Sequence, residues 1–198
     1  MHILVTGCAG FIGSHLCERL LSEGHHITGV DALTNSYDPQ WKVRNLDRLC
    51  TSERFDFVHT EVLKLKQRLV DDAQLIFHLA ARPGVRTSWG PEFQHYLRHN
   101  VLTTQRLLER ATLSETPKRI VFASSSSVYG DTPVERVTED HPTNPVSPYG
   151  ITKPRWRTIV LGVCQVELPG GDKAAAFALF GDGRQQRDFT FVQDVVEA

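Results

Sequence analysis

The sequence predicts an α/β fold built on a doubly wound parallel sheet. Short apolar segments rich in β-branched residues alternate with segments of helical periodicity along the 198-residue chain. Two motifs suit the carboxyl ends of parallel strands: a glycine-rich turn at residues 7–13 and a serine cluster at residues 124–127. Because ligands bind at that edge of such sheets, both motifs are candidate parts of one site.

The first predicted strand leads directly into the glycine turn. Residues 2–6 (HILVT) are an apolar run typical of a buried strand, and apolar residues recur at helical spacing after the turn. Gly7 permits a tight turn, Gly10 lets a pyrophosphate approach the backbone, and Gly13 allows close helix–strand packing. An isolated glycine triad is often only a turn. The strand–turn–helix context favours a phosphate site on the free amides of the helix start.

The second predicted strand, residues 26–31, ends in a carboxylate. Asp31 lies 18 residues after Gly13, close to the spacing of an acid that binds ribose hydroxyls. A carboxylate there repels a 2′-phosphate, so NAD is favoured over NADP. The alternative is that Asp31 only caps a helix or a turn.

The third and fourth predicted strands, residues 55–59 and 75–80, continue the alternation. Glu61 and Val62 follow the third strand, where the adenine end of a dinucleotide lies in such a sheet. The fifth strand, residues 119–123, runs straight into the serine cluster. That cluster is well placed for chemistry, with a polar loop that caps helix amides as the alternative.

Residues 91–113 are predicted to form a helix between the fourth and fifth strands. Pro91 suits the first turn of a helix. Asn100 flanks the apolar stripe, and a partly buried amide needs hydrogen-bond partners. It either holds a backbone segment near the cofactor or lies on the surface. The stripe consists of Phe93, Leu97, Val101, Thr104, Leu108 and Ala111.

Tyr149 and Lys153 are one helical turn apart in the segment PYGITK. A tyrosine four residues before a lysine also occurs by chance in many helices. Together with the phosphate turn, however, the pair predicts redox chemistry on a nicotinamide cofactor. A free tyrosine has a pKa of ~10, so a base at neutral pH needs its phenolate stabilised by about 4 kcal/mol. A neighbouring ammonium group and the positive nicotinamide ring can supply that stabilisation.

Composition and charge exclude several classes of protein. The formal net charge is −1 and the pI is about 6.7, so no basic field indicates nucleic acid. No apolar run approaches the length of a membrane span, and no signal peptide precedes the first strand. The four cysteines form no CxxC pair and predict reduced thiols in the cytoplasm. The nine histidines show no ligand spacing, so no metal site is expected.

Several ordered motifs resemble the extended short-chain dehydrogenase/reductase family, and most of all its nucleotide-sugar epimerases. The resemblance is continuous over residues 1–153 and returns at 181–183 and 187–192. Residues 31–39 (DALTNSYDP) look like the UDP-glucuronate 4-epimerase branch. The motifs are LVTGCAGFIGS at 4–14, HLAA at 78–81, SSSSVYG at 124–130 and PYGITK at 148–153.

The resemblance implies a Rossmann-type sheet, NAD as cofactor and a UDP-sugar as substrate. Tyr149 is the implied base, Lys153 lowers its pKa and holds the nicotinamide ribose, and Ser125 hydrogen-bonds the same sugar oxygen. Arg86, Ser125 and Arg187 are implied to bind the substrate. The implied cofactor-binding residues are Gly7, Gly10, Phe11, Ile12, Gly13, Asp31, Asn35, Glu61, Val62, Leu79, Ala80, Ala81, Asn100, Tyr149 and Lys153.

The resemblance also favours epimerisation over water elimination. Dehydratases of the family carry Asp-Glu directly after the catalytic Ser/Thr, and this chain has Ser126 and Ser127 there. The implied reaction is a 4-epimerisation by transient oxidation of the sugar at C4. A decarboxylase or oxidoreductase of the same family is a further alternative.

The pattern changes after Lys153. Pro154 follows at once, and proline disfavours the helical turn that should hold Lys153. Only 33 residues separate Lys153 from Arg187, fewer than the family has. We therefore expect an NAD-binding domain at residues 1–153 and a divergent or truncated remnant at 154–198, with the carboxyl-terminal substrate domain missing or rudimentary. A truncated NAD-binding module with little turnover is thus the second functional hypothesis. A homodimer through two helices, as is common in the family, is possible.

Overall fold

The computed structural model describes residues 1–115, 119–132, 137–138, 141–153, 192 and 196. In these ranges, the strands form one parallel sheet in the order β3-β2-β1-β4-β5, which is the doubly wound arrangement predicted from the sequence. No helix in the described ranges is long and apolar enough to cross a membrane. The strands are β1 His2–Thr6, β2 His26–Asp31, β3 Phe55–His59, β4 Leu75–His78 and β5 Arg119–Phe122.

The fourth strand ends at His78, two residues earlier than predicted, and β5 ends one residue early. Beyond β4 the chain bends over the end of β1 instead of continuing along the sheet. The Leu79 N–H donates to the Thr6 carbonyl at 3.1 Å, and the Ala80 N–H donates to Thr6 Oγ1 at 3.3 Å. This bend brings residues 79–81 against the glycine turn.

Helices cover both faces of the sheet. On one face lie α1 (Phe11–Ser22) and α2 (Pro39–Leu49), and on the other lie α3 (Gln67–Asp71) and α5 (Thr103–Thr112). Side chains of β1 alternate between the two cores, as strand geometry requires. Ile3, Val5, Ile27, Leu16 and Leu20 share the first core, and Leu4, Val30, Ile76, Leu107 and Leu108 share the second.

The predicted helix over 91–113 is present but contains a wider turn. It comprises a 3₁₀ turn at Gly90–Glu92, α4 (Phe93–Tyr96), a π-helical turn at Leu97–Leu102, and α5. The wider turn shifts the buried face by part of a turn. Leu97, predicted to be in the apolar stripe, is therefore 45% exposed, whereas Asn100 is 1% exposed. The stripe prediction holds for the part within α5.

The last described helix, α6 (Pro148–Ile151), carries Tyr149. Ser147 caps it, because its Oγ accepts the Gly150 N–H at 3.0 Å, and Pro148 occupies the first turn. The helix ends at Ile151, and the Lys153 N–H closes a final turn on the Gly150 carbonyl at 3.1 Å. This early end agrees with the expected effect of Pro154. Apart from residues 192 and 196, the predicted second segment at 154–198 lies outside the described residues.

Candidate active site

The candidate site lies at the carboxyl ends of the strands, around the junction of β1 and β4. Strand order reverses there, since β2 and β3 lie on one side of β1 and β4 and β5 on the other. The glycine turn follows β1, Asp31 ends β2, residues 79–81 follow β4, and the serine cluster follows β5. The topology thus brings together the motifs that the sequence analysis identified separately.

The glycine turn is a cradle that side chains would fill. Gly7 has φ of 77°, and a Cβ there would lie 2.8 Å from the Ala80 nitrogen. A Cβ on Gly13 would overlap the Gly7 carbonyl oxygen. Gly10 caps α1 without a side-chain hydrogen bond, so the first-turn amides remain for a ligand. This geometry fits an anionic group such as a pyrophosphate.

Asp31 has the turn-capping role, one of the two that the sequence analysis held as alternatives, and its ribose-binding role stays a prediction. It caps the following turn, because Oδ1 accepts the Leu33 N–H at 2.8 Å and Leu33 has φ of 49°. Oδ2 accepts the Ala9 N–H at 3.2 Å, which ties the carboxylate to the glycine turn. The carboxylate is nevertheless located beside the cradle, where a ribose diol would lie.

Lys42 is a site residue that the sequence analysis missed. It lies on α2 and is 6% exposed, and its Nζ is 3.4 Å from Asp31 Oδ1 and 3.4 Å from Thr34 Oγ1. The pair offers an anionic acceptor next to a cationic donor, which suits two adjacent hydroxyls. A lysine within an amphipathic helix gives no sequence signal of this kind, because it usually marks the solvated face.

A polar cavity of about 280 Å³ lies beyond Asp31, where the predicted adenine end would be. The Glu61 carboxylate at its wall binds Arg98 at 2.8 Å and Lys64 at 3.6 Å, and the Arg98 hydrogen bond lowers the pKa of Glu61. Val62, a predicted cofactor-binding residue, is 6% exposed and its side chain packs in the core. Asn35 is exposed in the loop after β2. The cavity is lined by Ala32, Thr34, His59, Thr60, Glu61, Lys64 and His99.

Asn100 holds a backbone segment, as the sequence suggested it could. Its Oδ1 accepts the Arg82 N–H at 2.7 Å, and its Nδ2 donates to the Arg82 carbonyl at 3.1 Å. Nδ2 also donates to Thr152 Oγ1 at 3.0 Å. One amide therefore fixes the loop after Leu79–Ala81 to the turn before Lys153.

Ser125, Tyr149 and Lys153 come together across the carboxyl ends of the strands. The Ser125 side chain is close enough to the Tyr149 phenol to lower the pKa of that phenol by hydrogen bonding. Lys153 Nζ lies 6.0 Å from the centre of the Tyr149 ring and donates to the Ala123 carbonyl at 3.1 Å. Lys153 is 4% exposed, and burial lowers its pKa to about 8.

The expected activation of Tyr149 by Lys153 is not seen in this arrangement. Burial raises the pKa of the Tyr149 phenol, the hydrogen bond from Ser125 opposes this effect, and neighbouring Tyr96 adds to it. The lysine ammonium group is directed to the Ala123 carbonyl rather than to the phenol oxygen. The polarity of the surroundings, rather than the presence of a lysine one turn away, sets the pKa.

The loop after β4 is fastened to the helix that carries Tyr149. Arg86, a predicted substrate ligand, is exposed in the 3₁₀ turn Arg86–Ser88. Ser88 is fully buried, and its Oγ accepts the Tyr149 N–H at 3.0 Å and donates to the Val85 carbonyl at 2.6 Å. Sequence reasoning missed Ser88 because a serine in a loop has no distinguishing pattern. Arg187, the other predicted substrate ligand, lies outside the described residues.

Tyr96 supports this loop from below and was also missed. It is fully buried, its hydroxyl donates to the Pro83 carbonyl at 3.0 Å and lies 2.6 Å from Thr87 Oγ1. Its ring stands edge-on to that of Tyr149, with centroids 6.1 Å apart. The position of Tyr149 is therefore set jointly by α4, α6 and the loop between β4 and α4.

Comparison with known proteins gives one consistent result. A sequence model of the family described as GDP-mannose 4,6 dehydratase matches residues 4–165. An uncharacterized UDP-glucose epimerase of Bacillus subtilis is 39% identical over 225 residues, covering 100% of this chain and 71% of that protein. A UDP-glucose 4-epimerase of Mycolicibacterium smegmatis is 33% identical and is covered over 72% of its length.

Solved structures agree with the sequence relatives. A mutant UDP-glucuronic acid 4-epimerase from Bacillus cereus, in complex with NAD and a fluorinated UDP-glucuronic acid, has a TM-score of 0.79 and 38% identity. The match covers 84% of this chain and 54% of that one. The chain thus spans about half of that solved protein. The alignment of 225 positions with the Bacillus subtilis relative exceeds the 198 residues here, so part of the relative has no counterpart within this chain.

Proposed function

This chain belongs to the extended short-chain dehydrogenase/reductase family of nucleotide-sugar epimerases and dehydratases, and we propose that it is an NAD-dependent UDP-sugar 4-epimerase. UDP-glucuronate and UDP-glucose are the proposed substrates, since relatives and solved neighbours are named for these two sugars. The observation that carries the proposal is the convergence of Ser125, Tyr149 and buried Lys153, whose Nζ lies 6.0 Å from the centre of the Tyr149 ring.

NAD fits the residues at the carboxyl edge of the sheet. The Gly7–Gly13 cradle would hold its pyrophosphate, Asp31 with Lys42 its adenosine ribose, and the cavity at Glu61 its adenine. When bound, NAD supplies a reversible redox reaction at C4 of the sugar. The chain's own residues must therefore move one proton at the C4 oxygen and hold the sugar.

Tyr149 is the proposed proton acceptor. Its phenolate would take the proton of the C4 hydroxyl and return it when the ketone is reduced from the opposite face. Ser125, whose side chain acts on the pKa of the phenol, would bind the same oxygen throughout. Lys153 would stabilise the phenolate by its charge, since a pKa of about 8 leaves the buried amine mostly protonated at neutral pH. Arg86 would meet the substrate from the loop that Ser88 fastens to Tyr149.

Epimerisation fits the serine cluster better than elimination does. Water elimination needs an acid–base pair next to the catalytic hydroxyl, and residues 126 and 127 are serines with Ser126 only 6% exposed. Neither side chain has an ionisable group in the neutral range. The C4 proton, handled by Tyr149, is then the only one that the proposed reaction requires.

A second candidate function is an NAD-binding module with little turnover. The observation that favours it is the arrangement of Lys153, which donates to the Ala123 carbonyl beside a Tyr149 phenol whose pKa is raised by burial. The two functions share the dinucleotide site and differ only in the sugar site. An NAD-binding assay cannot separate them, whereas a turnover assay can.

The deciding experiment measures interconversion of UDP-glucuronate and UDP-glucose with their C4 epimers by the purified chain with NAD. Turnover that is lost in Tyr149→Phe, with NAD affinity retained, supports the epimerase. Retained NAD binding with no turnover of either sugar supports the binding module. Loss of NAD binding in the unmodified chain contradicts both.

A homodimer in the cytoplasm is part of the same proposal. Leu97 and Leu102 lie in the π turn and Ile151 lies on α6, and their side chains are 45%, 41% and 60% exposed. Apolar side chains on these segments suit a helix-to-helix contact with a second copy. Sedimentation of the wild-type chain against Leu97→Lys tests it, with a monomer expected for the variant. Cys8 and Cys17 are buried free thiols, which suits a reducing compartment.

A further inference from the structure

A buried histidine joins three elements beneath the candidate site. His78, the last residue of β4, is 2% exposed. Its Nδ1 lies 2.7 Å from Thr6 Oγ1 at the end of β1, and its Nε2 lies 3.0 Å from Thr104 Oγ1 on α5. Both ring nitrogens are therefore engaged with hydroxyl groups, and neither faces the substrate side.

The hydrogen bonds around His78 determine where its proton is. Thr104 donates its only hydroxyl proton to the Asn100 carbonyl at 2.6 Å, so it must accept from His78 Nε2–H. His78 Nδ1 is then an acceptor, and Thr6 donates its hydroxyl proton to it. Thr6 Oγ1 keeps a lone pair for the Ala80 N–H at 3.3 Å. The neutral Nε2–H tautomer alone satisfies every group in this series.

The two ends of the series reach the two halves of the site. At one end, Thr6 Oγ1 holds Ala80, whose nitrogen faces the Gly7 turn. At the other, the Asn100 carbonyl lies in the π turn, and its own side chain donates to Thr152 Oγ1 at 3.0 Å. Thr152 Oγ1 in turn donates to the Tyr149 carbonyl at 2.7 Å.

We propose that His78, fixed as its neutral Nε2–H tautomer, is a positioning residue that couples the phosphate turn to the turn bearing Tyr149 and Lys153. It touches no reacting atom and acts through Thr104 and Asn100. The catalytic meaning of this coupling rests on the proposed function, whereas the coupling itself is a property of the fold. An isolated buried polar chain of this length is stable only when all its members are paired.

The surroundings of His78 keep it uncharged. Burial, with a smaller contribution from the nearby Lys153 ammonium, lowers the pKa of His78 to about 3. A protonated ring would have to donate at both nitrogens, which would leave the Thr6 hydroxyl proton without its acceptor. His78 is thus suited to hold a geometry across the physiological pH range rather than to exchange protons.

The first test reads the tautomer directly. Long-range ¹⁵N–¹H correlation spectra distinguish protonated from unprotonated ring nitrogens, and the His78 signals are assigned by their loss in His78→Phe. We expect an Nε2–H ring that does not change between pH ~5 and ~9. An Nδ1–H ring, or one that titrates near the ordinary histidine pKa, would overturn the proposal.

The second test breaks the link to the catalytic turn. Thr104→Val removes the hydroxyl, Thr104→Ser restores it, and Thr112→Val removes a matched back-bonding hydroxyl (2.7 Å to the Glu109 carbonyl) at the exposed end of α5. We expect amide hydrogen exchange at residues 150–153 to be about fivefold faster in Thr104→Val, which is the effect of losing one hydrogen bond. Exchange in Thr104→Ser and Thr112→Val should match that of the wild type. Equal exchange in Thr104→Val and Thr112→Val, or acceleration spread evenly over α1, contradicts the coupling.

The third test addresses the cofactor end. Thr6→Val should weaken NAD binding about fivefold. Thr6→Ser should have the wild-type affinity, because serine keeps the hydroxyl that accepts the Ala80 N–H and valine does not. Equal NAD affinity in wild type and Thr6→Val would contradict the proposal. If the wild-type chain binds no NAD, the proposed function fails, and the tautomer and exchange measurements still decide the coupling.

Discussion

Replacing Lys153 with methionine should stabilise the folded chain while abolishing its chemistry. Burial lowers the pKa of Lys153 from the ordinary value of 10.5 to about 8. Folding therefore disfavours the charged amine, and the protein retains it at the expense of stability. Methionine has a similar length and no charge, so it removes the unfavourable burial with little change in volume.

The size of the effect follows from the two pKa values. Each pKa unit corresponds to about 1.4 kcal/mol, so a charged Lys153 destabilises the fold by about 3 kcal/mol at pH ~7. The unfolded chain binds more protons than the folded chain between the two pKa values. Wild-type stability from this group therefore rises as the pH increases from about 8 to 10.5. At pH ~9.5 the remaining penalty is about 1 kcal/mol.

Urea unfolding followed by tryptophan fluorescence measures this difference. The free energies of unfolding of the wild type and Lys153→Met are compared without added NAD at pH ~7 and ~9.5. Subtracting one protein's value from the other's at each pH cancels the contributions of other groups that titrate in this range. The Lys153 amine also donates to the Ala123 carbonyl, charged or neutral, and losing this hydrogen bond offsets about 1 kcal/mol of the gain. Lys64→Met is the control, since Lys64 is 70% exposed.

Two results would refute this reasoning. A Lys153→Met variant that is less stable than the wild type at pH ~7 would mean that the ammonium group is paired rather than merely buried. A stability difference that stays constant between the two pH values would mean that the folded-state pKa is not lowered. Either outcome would also weaken the proposal that Lys153 is a buried charge beside Tyr149.

Three further predictions concern the site. Gly7→Ala should abolish NAD binding measured by calorimetry. The control Gly24→Ala, at φ of 87° with no atoms within 4 Å of the added Cβ, should cost ~1–3 kcal/mol of stability and leave the affinity for NAD unchanged. Equal effects of the two variants on NAD affinity would contradict the role of the glycine turn. Asp31→Ala should weaken NAD binding at least about tenfold and reduce the preference for NAD over NADP. The control Asp38→Ala removes a helix cap and should lower only the stability of the fold, by ~1 kcal/mol. Unchanged NAD affinity in Asp31→Ala would reject the ribose assignment. Tyr149→Phe should lower kcat by at least ~100-fold with little change in the Kd for NAD, and a smaller loss would exclude it as the base.

The sheet and the phosphate turn could be read from sequence because local chemistry determines them. Buried parallel strands need continuous apolar runs, and the turn after β1 needs glycine at residues 7 and 13 for steric reasons. Three strands match their predicted bounds. The end of β4 was misplaced because Leu79 and Ala80 are as apolar as the strand, and only the hydrogen bonds to Thr6 turn them away.

The finer features of the site depend on contacts between distant segments. Lys42 and Ser88 became site residues only when folding placed them next to Asp31 and Tyr149. The raised pKa of Tyr149 likewise reflects burial that no spacing rule contains. The π turn had no sequence signal either; it exposes Leu97, which was predicted to lie in the apolar stripe, and buries Asn100, whose burial the sequence left open.

The π turn makes the winding of this helix as important as its composition. The six residues of Leu97–Leu102 sweep about the same angle as five residues of an ordinary α-helix, so closing all six into α geometry would rotate the segment before them by about 100° relative to α5. Tyr96 would then leave its place under the loop, and Pro83 and Thr87 would lose their shared partner. A substitution that converts the π turn into α geometry without removing a residue would therefore misalign the loop and the catalytic helix together.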